Sequence, residues 1–169
     1  FLRGAMDLLG VPEPACLSYP PGCEPYLHRR IWRRTADEAL NMIGRRFIKT
    51  VETKRVTGFV LDSDAGAVGL SGHDQLQFQA LCMLPARAPV WVAEPVRWVS
   101  EYRFYVMDSA IVGSARYDIG ESEDVPAPDI DVVNRCIVDL AIPHPYGLDM
   151  GVLSSGETAL VEANDGWSL

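Results

Sequence analysis

Short runs rich in β-branched and aromatic residues dominate the chain from Arg46 onward, and turn residues separate most of them. The runs cover residues 47–51, 56–61, 90–92, 102–107, 111–117, 147–153 and 158–163. Asp108-Ser109 lies between two of these runs and Ser155-Gly156 between two others. Each pair of residues predicts a tight antiparallel hairpin.

Helical signals interrupt the β pattern in a few places. After Pro128 and Asp129, apolar residues recur at three- and four-residue steps up to Leu140, which predicts an amphipathic helix covering a sheet. Thr35 followed by acidic residues predicts the cap of a short helix ending near Gly44. For residues 73–84, the sequence leaves a helix and a partly ordered loop open. The predicted fold class is α+β, an antiparallel sheet with helices on one face.

Composition narrows the cellular setting and the kind of partner. Hydrophobic residues make up 48% of the 169 and charged residues 22%, which predicts a folded globular chain. No apolar run approaches the roughly 20 residues that span a bilayer, and the N-terminus lacks the layout of a signal peptide. We therefore expect a cytoplasmic protein without a membrane partner. The net charge of -8 disfavours general nucleic-acid binding.

One basic run departs from this acidic background. It contains His28, Arg29, Arg30, Arg33 and Arg34, and Arg45 and Arg46 follow. Two interpretations stay open: a solvated helix face with its flank, or a binding patch for an acidic partner.

The segment 146–166 carries the clearest chemical signal. If Ser155-Gly156 forms a two-residue turn, Asp149 lies directly opposite Glu162, and alternation places Asn164 on the same face. Two opposed carboxylates about 5 Å apart repel by roughly 3 kcal/mol at an effective dielectric of about 20. A magnesium ion shared with phosphate oxygens would offset that repulsion. The alternative is a solvated outer face that carries acids.

This spacing of Asp, Glu and Asn, in LDMGVL…ALVEANDG, resembles the metal-binding end of ATP-grasp enzymes. The resemblance implies that Asp149, Glu162 and Asn164 hold one or two magnesium ions that bridge the phosphates of ATP.

Further residues resemble a divergent ATP-grasp clade defined by one arginine and two lysines. The resemblance implies that Lys49 and Lys54 contact phosphate, with Arg103 as the arginine. It also casts the stretch Glu94, Pro95 and Val96 as a hinge that binds adenine, chiefly through its backbone, and Glu101 as the acceptor of the ribose hydroxyls.

The resemblance also implies an arrangement of domains. Residues 1–25 would be the remnant of a preceding lobe and a linker. Residues 26–169 would form the catalytic core, with an N-lobe at about 26–92 and a C-lobe at about 97–169, around an ATP cleft. Many ATP-grasp ligases carry an arginine where this chain has Gly147, and Arg116 is a possible substitute.

The implied activity is a Mg-ATP-dependent ligase that joins a carboxylate to an amine or a thiol through an acyl phosphate. The acceptor is left open among a small amino acid, a peptide and a protein end. The alternative function is an ATP-binding regulatory or assembly module without ligase activity.

Overall fold

The computed structural model of the protein describes residues 8, 10, 17–51, 55–117 and 124–166. They form two compact units, one spanning Arg29–Arg97 and the other combining the described residues up to His28 with those from Trp98 onward. Each unit contains one four-stranded sheet whose paired strands are antiparallel. The predicted lobe remnant at 1–25 lies largely outside the described residues, and Lys54 lies wholly outside them.

The sheet of the first unit has the strand order β1-β4-β2-β3. Its strands are β1 (Ile31–Thr35), β2 (Arg45–Thr50), β3 (Phe59–Asp62) and β4 (Pro89–Ala93). Two helices, α1 (Ala36–Asn41) and α2 (Gly72–Cys82), contribute Ala36, Ala39 and Leu81 to a core that includes Ile48 and Val92. Burying such side chains stabilises the unit by roughly 1.5–3 kcal/mol for each large aliphatic residue.

Polar contacts fix both ends of α1. The Thr35 hydroxyl accepts the N–H of Glu38 at 3.2 Å while the Glu38 carboxylate accepts the N–H of Thr35 at 2.8 Å, forming a capping box. Near the other end, the guanidinium of Arg46 is 3% exposed and donates to the carbonyls of Ala39, Leu40 and Gly44. These acceptors offset the burial of its charge.

The sheet of the second unit has the strand order β6-β5-β7-β8. Its strands are β5 (Trp98–Met107), β6 (Ala110–Arg116), β7 (Tyr146–Leu153) and β8 (Thr158–Asp165). Helix α3 (Ile130–Leu140) buries Val133, Cys136, Ile137 and Leu140. The N–H of its cap residue Asp129 donates to the Thr158 hydroxyl of β8 at 2.8 Å. Every residue of β7 is buried.

The structure confirms the α+β class, with two antiparallel sheets and flanking helices, and each predicted β run overlaps a strand, although 56–58 lie before β3. Met107 pairs with Ala110, and Asp108 and Ser109 adopt φ values of 51° and 59°, as a two-residue hairpin turn requires. The region left open at 73–84 is helix α2. Beyond these, a short 3-10 helix covers Gly66–Gly69 and another Glu24–Tyr26.

Two expectations were wrong. The arginines at 33 and 34 lie in strand β1, not on a helix face or its flank. This strand was missed because it exposes two consecutive residues, Arg33 and Arg34, so its pattern lacks the alternation of a half-buried strand. The hairpin between β7 and β8 is also not closed by a two-residue turn, since Leu153 donates its N–H to the Glu157 carbonyl at 2.9 Å around residues 154–156.

Candidate functional site

Three polar residues form a row across the second sheet. Arg103 in β5 pairs with Asp149 in β7, and Asp149 pairs in turn with Glu162 in β8. Because paired residues share a face, their side chains project from the same side of the sheet. The predicted pairing of Asp149 with Glu162 is therefore confirmed.

A bulge explains why that pairing was right although the assumed turn was wrong. From the turn as far as Met150, which pairs with Leu160, the register is one residue off the predicted one. Between Asp149 and Met150 the register shifts, and Val161 becomes an extra residue on β8. The shift restores the predicted alignment at Glu162 and keeps Asn164 level with Gly147.

Asp149 is the centre of a compact hydrogen-bond cluster. It is 2% exposed and accepts Arg103 Nε at 2.7 Å and Nη2 at 2.8 Å through its two oxygens. Asn164 Nδ2 donates to Asp149 Oδ2 at 3.0 Å and to Glu162 Oε1 at 3.3 Å. The structure thus brings together Arg103 and the three predicted metal ligands.

An aromatic ring completes the cluster. The Arg103 guanidinium carbon lies 4.6 Å from the ring centroid of Tyr117, whose N–H donates to the Glu101 carbonyl at 2.8 Å. The hydrogen bonds to Asp149 raise the pKa of Arg103, with smaller contributions from the charges of Asp149, Tyr117 and Glu162. The sequence analysis missed Tyr117, although alternation two residues beyond Ala115, the partner of Arg103 in β6, could have found it.

The donor set fits magnesium. Two carboxylates and an amide oxygen are hard ligands, few enough to leave coordination positions for phosphate oxygens and water. In the part of the chain that the structure describes, no group of three or more His, Cys, Asp or Glu side chains could hold a metal ion, and Asn164 is the residue that would add a third oxygen to Asp149 and Glu162. Its Nδ2 faces the carboxylates, and ligation requires the Asn164 amide to turn its oxygen inward.

Within the first unit, Lys49 also lies in a row across three strands. Trp91 in β4 pairs with Lys49 in β2 on one side and with Arg33 in β1 on the other. This row projects from the face opposite to that of the core residues Ile48 and Val92. Lys49 is nevertheless only 7% exposed.

The predicted hinge follows β4 directly. Glu94 accepts Arg30 N–H at 3.0 Å, Nε at 2.7 Å and Nη2 at 2.5 Å, and its own N–H donates to the Arg30 carbonyl at 3.0 Å. The side-chain hydrogen bond from Arg30 is the main reason that the pKa of Glu94 is lowered. Because Pro95 has no N–H, the amide donor that this stretch can offer a ligand is that of Val96.

Two further predicted positions can be placed by register. Glu101 pairs with Gly151 and lies on the face of Arg103, two residues away. Arg116 pairs with Tyr102, the neighbour of Arg103, so alternation places it on the opposite face. Arg116 therefore does not replace the arginine that many ATP-grasp ligases carry where this chain has Gly147.

Comparison with known proteins identifies the fold. Residues 26–169 match a family model described as an ATP-grasp domain, family 2 of the R/2K clade. Among curated proteins, none matches the chain.

Several solved structures are similar to the chain. They include the D-alanine–D-alanine ligase from Bacillus anthracis complexed with ATP (TM-score 0.54, 13% identity, covering 96% of this chain and 62% of that chain). They also include the L-amino acid ligase from Bacillus licheniformis (TM-score 0.55, 9%, 95% and 44%). A third is the ATP-grasp ligase PsnB complexed with precursor peptide PsnA2 and AMPPNP (TM-score 0.52, 19%, 97% and 47%). The chain spans about half the length of the PsnB structure, and the likeness concerns the fold alone.

Proposed function

The chain belongs to the ATP-grasp domains, in family 2 of the R/2K clade. From this premise we propose that it is the catalytic core of a Mg-ATP-dependent ligase. The ligase joins a carboxylate to an amine or a thiol and releases ADP. One observation carries the proposal: Asp149, Glu162 and Asn164 converge beside Arg103 on one sheet face. Such a set of oxygen ligands beside a guanidinium suits a triphosphate that arrives with its metal.

Each residue has a role in binding or charge neutralisation. Asp149, Glu162 and Asn164 hold magnesium, which when bound neutralises phosphate charge. Lys49, Lys54 and Arg103 supply further positive charge to the phosphates. The Val96 N–H and the carbonyls of Glu94 and Pro95 bind the adenine edge, and Glu101 accepts the ribose hydroxyls.

The chemistry needs no nucleophilic side chain. A carboxylate oxygen of the substrate attacks the γ-phosphorus, the bond to the bridging oxygen of ADP breaks, and an acyl phosphate forms. The amine nitrogen then attacks the acyl carbon, loses a proton and expels inorganic phosphate. The residues contribute positioning and electrostatic stabilisation.

A binding module is the second candidate function. Gly147 stands where many ATP-grasp ligases carry an arginine, and Arg116 faces away from the site. A chain that kept the nucleotide site but lost ligation would serve as an ATP-binding regulatory or assembly module. For either function we propose a cytoplasmic location.

Two measurements test the proposal in sequence. Mg-ATP should raise the melting temperature of the protein, because a ligand of the folded state stabilises it, and Glu162→Gln should reduce the shift. ADP release with candidate carboxylates, and capture of the acyl phosphate by hydroxylamine as a hydroxamate, would then establish ligase chemistry. A full thermal shift without hydroxamate for any carboxylate favours the binding module, and no shift at all contradicts both.

A further inference from the structure

Charge is distributed very unevenly between the two units. Residues 29–97 carry 11 lysines and arginines against 7 acids, a net charge of +4. The rest of the chain carries 4 basic residues against 16 acids, a net charge of -12. Because the acidic unit repels negative charge, an anionic partner should bind the first unit.

Strand β1 presents part of this charge at an open sheet edge. Among the described residues it pairs with β4 alone, and Arg33 and Arg34 are both exposed. The nearby carboxylate of Glu38 already accepts the N–H and the hydroxyl of Thr35, and these bonds, more than the charge of Arg34, lower its pKa. Arg30 is different, because Glu94 neutralises it.

The backbone of β1 offers hydrogen bonds along that edge. Glu94 N–H donates to the Arg30 carbonyl and Ala36 N–H to the Ala88 carbonyl, so the even-numbered residues of β1 bond toward β4. Alternation then directs the N–H and carbonyl of Ile31 and Arg33 outward. Arg34 Nη1 donates to the Arg33 carbonyl at 2.9 Å, so the Arg34 side chain occupies this outward acceptor. A carboxylate that binds the Arg34 guanidinium would free the carbonyl for an added strand.

The other edge strands suit an anion less well. Strand β3, the second edge of the first sheet, ends at Asp62, whose carboxylate lies 3.9 Å from Arg45 Nε. Strand β6 is one edge of the second sheet, and its unit carries the net charge of -12. The β8 edge is partly covered, since Ala163 N–H donates to the Ser18 carbonyl at 2.8 Å.

We propose that β1 docks an extended acidic peptide segment as an added strand, with carboxylates on Arg33 and Arg34. An added strand gains main-chain hydrogen bonds, and the two arginines select acidic side chains. Arg33 projects from the sheet face that also carries Trp91 and Lys49. Every second side chain of the added strand would project from that same face. The inference rests on the proposed ligase function, in which this segment belongs to the peptide that supplies the carboxylate.

The test measures fluorescence anisotropy of a labelled peptide of repeating Glu-Glu-Thr-Thr, about ten residues long. Adjacent glutamates of an extended strand project to opposite faces, as Arg33 and Arg34 do. Wild-type protein should bind it at least about tenfold more tightly than the matching Gln–Thr peptide, with the preference shrinking at high salt. Arg33→Gln with Arg34→Gln should abolish the preference for Glu. Arg87→Gln, an exposed arginine outside β1 in the same unit, should leave it unchanged.

A second variant separates strand addition from charge alone. Ile31→Pro removes an outward N–H of β1 while keeping both arginines, and should weaken the Glu peptide about fivefold or more. Equal binding of Glu and Gln peptides, wild-type affinity in the double variant, or equally tight binding of single-stranded oligothymidine would overturn the docking inference. The change in melting temperature on adding Mg-ATP to the same samples distinguishes the two proposals. If Mg-ATP does not raise the melting temperature of the wild-type protein, the ligase function is contradicted. If it does and the peptide still fails to bind, only the docking on β1 is contradicted.

Discussion

Arg103 and Asp149 are register partners on neighbouring strands, and their side chains are joined by two hydrogen bonds of 2.7 and 2.8 Å. The pair is nearly inaccessible to solvent, since the side chain of Arg103 is 12% exposed and that of Asp149 is 3% exposed. Backbone register and side-chain pairing therefore fix the same two residues together, which places a positive charge beside the proposed metal ligands.

Removing the arginine should leave a buried carboxylate without its main partner. We expect Arg103→Met to lower the free energy of unfolding by about 3–5 kcal/mol and Arg103→Lys by less, since lysine keeps the charge but not the fork of donors. Urea denaturation measures both. Arg87→Met, an exposed site, should stay within about 0.5 kcal/mol of wild type. Equal stability of Arg103→Met and wild type would show that the pair contributes no net stabilisation.

Asn164 offers a test of the metal site that does not depend on activity. Asn164→Asp adds a third carboxylate next to Asp149 and Glu162, so like charges should destabilise the protein by about 1–2 kcal/mol without metal. Magnesium should then raise its melting temperature more than that of wild type. Asn164→Ala is the control that should respond least. A magnesium response identical in all three proteins argues against Asn164 as a ligand.

The ring of Tyr117 should hold the Arg103 guanidinium in place. Tyr117→Leu removes the ring, whereas Tyr117→Phe keeps it, so only the first should lose the cation–π contact. A double-mutant cycle of Tyr117→Leu with Arg103→Met should give a coupling free energy of about 0.5–1 kcal/mol, because the Tyr117 ring is largely exposed although Arg103 is not. Additive effects of the two substitutions would mean that the contact contributes nothing measurable.

The hinge makes a prediction about a single backbone group. Glu94 N–H is already bonded to the Arg30 carbonyl and Pro95 has no N–H, so adenine should take the N–H of Val96. We expect Val96→Pro to weaken ATP binding about tenfold, the loss of one hydrogen bond of about 1.4 kcal/mol. Isothermal titration calorimetry measures the affinity, with Val96→Ala as the control. The hinge assignment fails if both variants bind ATP alike.

Alkaline pH tests the contact between Tyr26 and Asp139. The Tyr26 hydroxyl donates to Asp139 Oδ2 at 2.5 Å, and burial, followed by this hydrogen bond, raises its pKa from 10.0 to about 12. The folded state holds this proton more tightly, so the stabilisation is fully present below about pH 10 and is lost as pH rises through about 12.

Tyr26→Phe should therefore be less stable than wild type by about 1–2 kcal/mol at pH near 8. The difference should shrink as pH rises above about 10. Urea denaturation across this range measures it. A difference that does not change with pH would contradict the assigned titration.

The sequence by itself determined the elements whose signals are local. Seven strands, the N-cap at Thr35 and the two-residue turn at Asp108-Ser109 follow from neighbouring residues. The spacing of Asp, Glu and Asn also sufficed to indicate the ATP-grasp family. Such features depend on alternation and turn chemistry, which act over a few residues.

Tertiary structure decided what depends on contacts between distant segments. The assumed turn at Ser155-Gly156 was wrong, and only the bulge at Val161 aligned the two carboxylates. Whether Arg103 or Arg116 reaches Asp149 depends on the register of three strands, and the hydrogen bonds of Arg30 with Glu94 join residues 64 positions apart. A register shift of one residue moves a side chain to the other face, so no local pattern can fix these relationships.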